Sequence, residues 1–106
     1  MLELALAAAK QAELSVNIFT GRVVSGDQFI SRKDKKKWLV ETFDGTCAEM
    51  EGASIGHVAS LNKIPYLIVR AISDKADDSA EMDYPSFAAM AIDNSVALMT
   101  EFVKLC

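Results

Sequence analysis

The chain has 106 residues, of which 51% are hydrophobic and 25% charged, with a formal net charge of −4. These values describe ordinary globular protein, one small domain or part of a larger one. A mildly acidic chain argues against a nucleic-acid surface, which normally carries a basic patch. No apolar run approaches the roughly 18 residues of a membrane-spanning helix, so we expect no membrane. One histidine and two cysteines outside any Cys-x-x-Cys motif exclude a zinc site built from thiols and imidazoles.

The first two predicted elements are a helix and a broken strand. Residues 1–14 are rich in Ala and Leu, which are strong helix formers. This helix begins without a cap, so we expect a chain cut from a longer one, and the segment lacks the basic start of a signal peptide. The two cysteines are interpreted as reduced thiols of a cytoplasmic protein. Residues 16–24 are rich in β-branched side chains and predict a strand broken near Gly21. Phe29 and Ile30 follow on a loop, where they must become buried or line a pocket.

Residues 32–37 form a basic run with two readings. They are a phosphate or nucleic-acid contact, or they are a solvated connector or helix face. The second reading is favoured because the run is short, contains Asp34, lacks interleaved aromatic residues and sits in an acidic chain. The following Asp44 and Gly45 indicate a turn.

The middle of the chain predicts a strand, a helix and a second strand. Residues 46–50 read as a short buried strand, and residues 51–62 as a helix with two glycines that allow close packing. Pro65 ends this helix, because the residue before a proline is biased away from helical conformation. Residues 66–72 are a continuous apolar run, which is typical of a parallel strand buried on both faces.

The last element is a helix after a polar loop or lid at residues 74–82. It shows apolar residues at three- and four-residue spacing, a face predicted to pack on a sheet. Asn94 is the polar member of this face and needs a partner. The members are Phe87, Met90, Ala91, Asn94, Leu98, Phe102 and Leu105. The order α-β-loop-β-α-β-loop-α predicts an α/β layer structure.

Carboxylates follow two of the predicted strands. In an open parallel α/β sheet the carboxyl ends of strands line the ligand crevice, so Glu49, Met50, Glu51 and Asp74 are expected to converge there. Asp74 is a structural cap or turn residue, or a general acid whose pKa is raised by a dry pocket. The two glutamates form salt bridges, one of them with Arg70, or one accepts hydrogen bonds from adjacent sugar hydroxyls.

Several other residues are interpreted structurally from the pattern alone. By spacing, Met50 and Phe29 are more typical of core than of a pocket. The lone His57 lies within a predicted helix and is interpreted as structural. The sequence contains no Walker loop, no Gly-x-Gly-x-x-Gly and no Gly-x-Ser-x-Gly elbow.

Three motifs together carry a family likeness. Residues 24–30 (VSGDQFI), 49–51 (EME) and 70–77 (RAISDKAD) resemble the C-terminal half of 5′-methylthioadenosine/S-adenosylhomocysteine nucleosidases, within the nucleoside phosphorylase superfamily. The resemblance covers nearly the whole chain. It implies an α/β fold, part of a three-layer α/β/α nucleoside phosphorylase-like fold with a mixed sheet and flanking helices. Residues 1–106 would be the C-terminal part of a single domain whose N-terminal half is absent.

The resemblance implies how the base is recognised. Asp74, held by Ser73, would protonate or hydrogen-bond adenine N7 and so make the base a better leaving group. Phe29 would stack against the adenine. The backbone at Ile30 would read the edge of the base.

The resemblance also implies the rest of the substrate site. Met50 would pack against the ribose, and Glu51 would accept hydrogen bonds from its 2′- and 3′-hydroxyls. Tyr84 would lie near the 5′-alkylthio group. Glu49 would be structural or support the site from behind, and Arg70 would also act behind the residues that touch substrate.

The implied reaction is hydrolysis of the N-glycosidic bond of methylthioadenosine and S-adenosylhomocysteine, which releases adenine in methionine salvage. It passes through an oxocarbenium-like transition state and uses no metal or organic cofactor. The family forms homodimers, and its water-activating glutamate lies in the N-terminal half, so the chain alone is expected to be inactive or weakly active. The alternatives are a nucleoside phosphorylase, another adenine-nucleoside hydrolase, or a non-catalytic nucleoside-binding module.

Overall fold

The computed structural model describes residues 1–72 and 84–106, without the side chain of Tyr84. Two compact units are distinguished. The helical unit contains residues 1–19, the segment from Val69 and the last helix, whereas the strand–helix unit contains residues 20–68. The elements in chain order are α1 (Leu2–Gln11), β1 (Arg22–Ser25), α2 (Lys33–Phe43), β2 (Gly45–Glu49), α3 (Gly52–Leu61) and α4 (Tyr84–Leu105).

The helical unit is held together by contact between α1 and α4. Ala8 is fully buried, and Ala9 and Leu98 are each 9% exposed. Leu14, Phe102 and Leu105 pack against these three residues. Both predicted helices are confirmed. Within the helical unit the apolar face of α4 packs on α1, since periodicity identifies an apolar face but not the element that covers it.

Asn94 on α4 has a partner within its own helix. Its side-chain amide donates to the carbonyl oxygen of Met90, one turn earlier, at 3.0 Å. A polar side chain within an apolar face is therefore satisfied without a second element.

The strand–helix unit contains a parallel pair of strands joined through α2. β1 and β2 pair in parallel, with Val23 opposite Cys47 and Ser25 opposite Glu49. Parallel strands cannot be joined by a tight turn, and α2 supplies the crossover. Packing of α2 on β2 and of α3 on β1 completes the unit. The α/β class is confirmed, and the sheet in the described residues has two strands.

A β-bulge marks the start of the pairing. Arg22 lies opposite Gly45 and Val23 opposite Cys47, so Thr46 is the extra residue on β2. Its hydroxyl accepts a hydrogen bond from the backbone N–H of Arg22 at 3.2 Å. The Arg22 guanidinium donates to the carbonyl oxygen of Phe43 at 2.7 Å, which ties the end of α2 to the start of β1.

The basic run lies on the exposed helix α2, so the expectation of a helix face is confirmed. Most of its side chains in α2 face solvent. The Lys35 ammonium lies 4.5 Å from the ring centroid of Trp38, the chain's single tryptophan. Trp38 in turn meets Phe43 edge-on, with centroids 5.4 Å apart. Attraction between the ammonium and the indole face orders this surface locally.

Three helices in the described part of the chain end in left-handed residues that are not glycine, and after α2 this residue is Asp44, with φ 53°. After α3, Lys63 has φ 56°. Its N–H donates to the Ser60 carbonyl at 3.0 Å, and the Ile64 N–H donates to the Ala59 carbonyl at 2.9 Å. This pair of bonds is a Schellman motif, and it confirms that the helix ends before the proline. After α1, Glu13 also has positive φ, at 49°.

The predicted strand at residues 66–72 is wrong. No strand is present there among the described residues, and Tyr66, Val69 and Ile72 are half-exposed. A buried parallel strand needs hydrogen-bonded neighbours. In the described part of the chain no strand forms hydrogen-bonded pairs with residues 66–72. The apolar composition of this run indicates burial, but it does not specify a pairing partner. The first predicted strand is also shorter than residues 16–24 and begins at Arg22.

Cys47 and Cys106 do not form a disulfide, and Cys47 is half-buried whereas Cys106 is exposed. Across residues 1–72 and 84–106, no three His, Cys, Asp or Glu side chains gather in a group suited to a metal ion. No helix in those same ranges combines the length and apolar character needed to cross a membrane.

Candidate active site

The carboxyl ends of β1 and β2 lie level with each other. Ser25 pairs with Glu49, and the backbone N–H of Gly26 donates to the Glu49 carbonyl at 3.2 Å. Because the strands are parallel, the segments that follow them leave the sheet at the same edge. The structure thus brings together the first two of the three motifs, residues 24–30 and 49–51.

Glu49 caps the N-terminus of α3. Its carboxylate accepts the backbone N–H of Glu51 at 3.0 Å and that of Gly52 at 2.9 and 2.7 Å, one distance to each oxygen. These N–H groups would otherwise lack a partner at the first helical turn, and the helix dipole favours a negative charge there. The carboxylate of Glu49 is therefore hydrogen-bonded to backbone N–H groups of the turn that follows it.

Met50 and Glu51 lie between the strand and the helix. Met50 is 46% exposed, and the Glu51 side chain is also exposed. Glu51 is the N-cap residue of α3, with φ −118° and ψ −29°. Its carbonyl accepts a hydrogen bond from the Ser54 hydroxyl at 2.7 Å. The alternation of the strand stops at Glu49, because the backbone leaves the pleat there.

Phe29 and Ile30 lie after β1 and outside regular structure, as predicted. Ile30 is partly buried, whereas Phe29 is 79% exposed. Phe29 is thus not buried among the described residues, and its lining of a pocket stays a prediction. An exposed ring face is a surface on which a flat aromatic ligand can stack.

A groove of about 410 Å³ lies alongside α3 within the strand–helix unit. Among the predicted site residues that the structure describes, Glu49 alone lines it. His57, which was interpreted as structural, and Tyr66, the first residue of the predicted strand 66–72, also line this groove. Its walls are Val23, Ser25, Glu49, Gly52, Ala53, Gly56, His57, Ser60, Tyr66 and Ile68.

Two glycines of α3 allow close approach. A Cβ on Gly52 would lie 2.6 Å from a carboxylate oxygen of Glu49, and a Cβ on Gly56 would lie 2.9 Å from the ring of Tyr66. Both glycines are buried. The prediction that they permit close packing is confirmed. Their one-turn spacing was the signal in the sequence, but it did not identify the two partners.

The third motif falls largely beyond the described residues. Ser73 and Asp74 lie outside them, as does the polar segment 74–82, and nothing of the Tyr84 side chain is described. Arg70 is exposed and lies outside regular structure. The convergence of Asp74 with Glu51, and the roles of these residues, stay predictions.

Comparison with known proteins gives a consistent result. The model of the phosphorylase superfamily matches residues 1–104. An aminodeoxyfutalosine nucleosidase of Campylobacter jejuni is 40% identical over 104 residues, which are 97% of this chain and 43% of that protein. A protein of the same name from Helicobacter pylori is 34% identical over 93% of this chain and 43% of its own length. A 5′-methylthioadenosine/S-adenosylhomocysteine nucleosidase of Treponema pallidum is 40% identical over 74% of this chain and 30% of that protein.

No solved structure matches the chain significantly. The chain spans less than half the length of these curated relatives. The match to the family model nevertheless runs from the first residue almost to the last. On this evidence the chain belongs to the phosphorylase superfamily, and the likeness to nucleosidases noted in its three motifs is confirmed.

Proposed function

We propose that the chain carries the base- and ribose-recognition part of a nucleosidase, a hydrolase of the N-glycosidic bond of adenine nucleosides. The observation that supports this most directly is the shared edge of β1 and β2. There the loop with Phe29 and the turn with Met50 and Glu51 leave the sheet side by side. One segment offers an aromatic ring and the other a carboxylate, which are the two groups that a nucleoside needs for its base and its sugar.

The exposure of these side chains supports the proposal. Phe29 is 79% exposed and Met50 46% exposed, so both have surface to contribute to a ligand. The Glu51 carboxylate is exposed on the turn between them and α3. A carboxylate accepts two adjacent hydroxyls well, because it offers two oxygens with several lone pairs.

Asp74 supplies the chemical step in this proposal. Its carboxylic acid donates a proton to adenine N7, and the electrons of the N-glycosidic bond move to the base as that bond breaks. Water then adds to the ribosyl cation and gives up a proton to the glutamate that the resemblance places outside these 106 residues. General acid assistance of this kind typically contributes a factor of about 10² to 10⁴ in rate. Ser73 would hold the Asp74 side chain in place.

The substrates we propose are 5′-methylthioadenosine and S-adenosylhomocysteine, with Tyr84 beside the 5′ substituent. The Treponema relative is named for these two compounds. The Campylobacter and Helicobacter relatives are named for aminodeoxyfutalosine, which makes that compound the second candidate. All three names describe nucleosidases, and this favours hydrolysis over phosphorolysis.

The proposal includes a cytoplasmic homodimer that needs no metal or organic cofactor. The family resemblance assigns water activation to a glutamate outside these 106 residues. We therefore expect the chain alone to bind the nucleoside and to hydrolyse it slowly.

The test is release of the base by the 106-residue chain in phosphate-free buffer, with methylthioadenosine and aminodeoxyfutalosine compared. We expect slow release that Asp74→Asn lowers by at least about 100-fold, because the amide cannot donate the acidic proton. The control is Asp93→Asn on the exposed side of α4, which should release the base at the unmodified rate.

The other outcomes also decide. Equal release by Asp74→Asn and the unmodified chain would remove Asp74 from the reaction. Release that requires phosphate would assign a phosphorylase. Binding of methylthioadenosine without any release would support the recognition part of the proposal, with turnover dependent on the glutamate outside these 106 residues, and absence of both would refute the proposal.

A further inference from the structure

We infer that Glu49 is a positioning residue that sets how Met50 and Glu51 face the ribose. This inference rests on the proposed function. Its origin is the turn between β2 and α3, where the Glu49 carboxylate holds the backbone on the far side of those two residues.

The hydrogen bonds that Glu49 accepts are short and involve both of its carboxylate oxygens. One oxygen lies 2.9 Å from the Gly52 nitrogen, and the other lies 2.7 Å from that nitrogen and 3.0 Å from the nitrogen of Glu51. Hydrogen bonds to a charged acceptor are stronger than neutral ones. The side chain and the backbone thus close a loop that contains only Met50 and Glu51.

Gly52 is matched to this carboxylate. The three atoms nearest to a Cβ placed on Gly52 all belong to Glu49, at 2.6, 3.1 and 3.3 Å. A side chain at this position would push the carboxylate away from the N–H groups. Glu49 and Gly52 therefore act as one unit, and substitutions at the two positions should not be additive.

The consequence for a ligand is selective. The hydrogen bonds of the Glu49 carboxylate fix the φ and ψ of the residues between β2 and α3, and these angles direct the side chains of Met50 and Glu51. Phe29, which is proposed to hold the base, lies on a different segment. Loss of the Glu49 hydrogen bonds should weaken the binding of a nucleoside much more than the binding of free adenine, because only the nucleoside has a ribose.

The experiment measures dissociation constants of methylthioadenosine and adenine by calorimetry for the 106-residue chain and five variants. Glu49→Ala should raise the dissociation constant of methylthioadenosine about tenfold and that of adenine less than about twofold, because the turn loses the hydrogen bonds that fix it. Glu49→Gln keeps one oxygen acceptor and should recover most of this loss. Gly52→Ala should resemble Glu49→Ala, and the double variant should be no weaker than either single one.

Three results would overturn the inference. They are an equal loss for both ligands, a Gln variant no better than the Ala variant, and additive losses in the double variant. A role confined to stability would weaken both ligands alike. Glu51→Gln serves as the reference, because loss of the proposed ribose contact itself must spare adenine.

Failure of the proposed function gives a different result. If the unmodified chain binds neither ligand, the proposed function is refuted, and the ribose role of Glu49 with it. Amide hydrogen exchange then tests the hold on the turn by itself. Faster exchange of the Gly52 N–H in Glu49→Ala would support the positioning of the turn, and unchanged exchange would refute it.

Discussion

The helical unit and the strand–helix unit are stabilised in different ways. In the helical unit, the residues that are almost fully buried are apolar and come from two helices, Ala8 and Ala9 from α1 and Leu98 from α4. In the strand–helix unit, the buried helical residues are Gly52 and Gly56 of α3. Order in that unit comes from backbone pairing, a carboxylate cap and the close approach of two glycines.

The difference shows where chemistry can be placed. A packed helix pair tolerates little change in volume. Of the proposed ligand contacts, Tyr84 begins α4, whereas Phe29, Met50 and Glu51 lie in the strand–helix unit. The strand–helix unit leaves Phe29 and Met50 open to solvent beside a backbone that is tightly fixed. Rigid backbone with exposed side chains is what a binding site requires.

The largest expected effect on stability comes from the packed core of the helical unit. Leu98→Ala should lower the free energy of unfolding by about 2–3 kcal/mol, since it leaves a cavity against Ala8 and Ala9. Urea unfolding followed by circular dichroism measures this. The matched control is Val96→Ala on the same helix, where the side chain is 60% exposed, and the change should stay within about 0.5 kcal/mol. Equal losses at both positions would mean that the helix pair has no specific core.

A smaller effect tests the glycine contacts of the strand–helix unit. In an exposed helix, Gly→Ala stabilises by about 1 kcal/mol. At Gly56 we expect no such gain, because the added Cβ would lie 2.9 Å from the Tyr66 ring. In a Tyr66→Ala background the same substitution should recover the full gain, so that the coupling is about 1 kcal/mol. An equal gain in the free energy of unfolding in both backgrounds would show that the contact between position 56 and Tyr66 does not limit stability.

The smallest expected effect should be the same in both units. Lys63→Gly after α3 and Glu13→Gly after α1 each relieve a left-handed backbone at φ 56° and 49°. Each should raise the free energy of unfolding by about 0.5–1 kcal/mol. Asn62→Gly is the control, because its φ of −92° suits any residue, and it should give no gain. A gain at Asn62 as large as at Lys63 would refute the role of the left-handed angle.

The helices were predictable because their signals are local. Periodicity, helix propensity and the proline after α3 depend on neighbouring residues, and α1, α3 and α4 lie where these signals place them. Strand 66–72 was not predictable in the same way. Its apolar run is local, but strand structure also depends on a partner that the run itself does not specify.

Part of the candidate site was predictable for the same reason. The motifs of residues 24–30 and 49–51 were identified from residue type, and the structure places them at one edge of the sheet. The cap formed by Glu49 was missed, because it depends on the backbone turning out of the strand after that residue. Two glutamates in alternation look the same in sequence whether they continue a strand or close a turn.

The indole of Trp38 gives the strand–helix unit its own optical signal. The chain has one tryptophan, and it lies on α2 between the Lys35 ammonium and the edge of Phe43. Its fluorescence should respond to the loss of order in that unit, whereas far-ultraviolet dichroism sums over helices in both. Superimposed transitions from the two signals would show that the units unfold as one cooperative body, and separated transitions would show that each unfolds by itself.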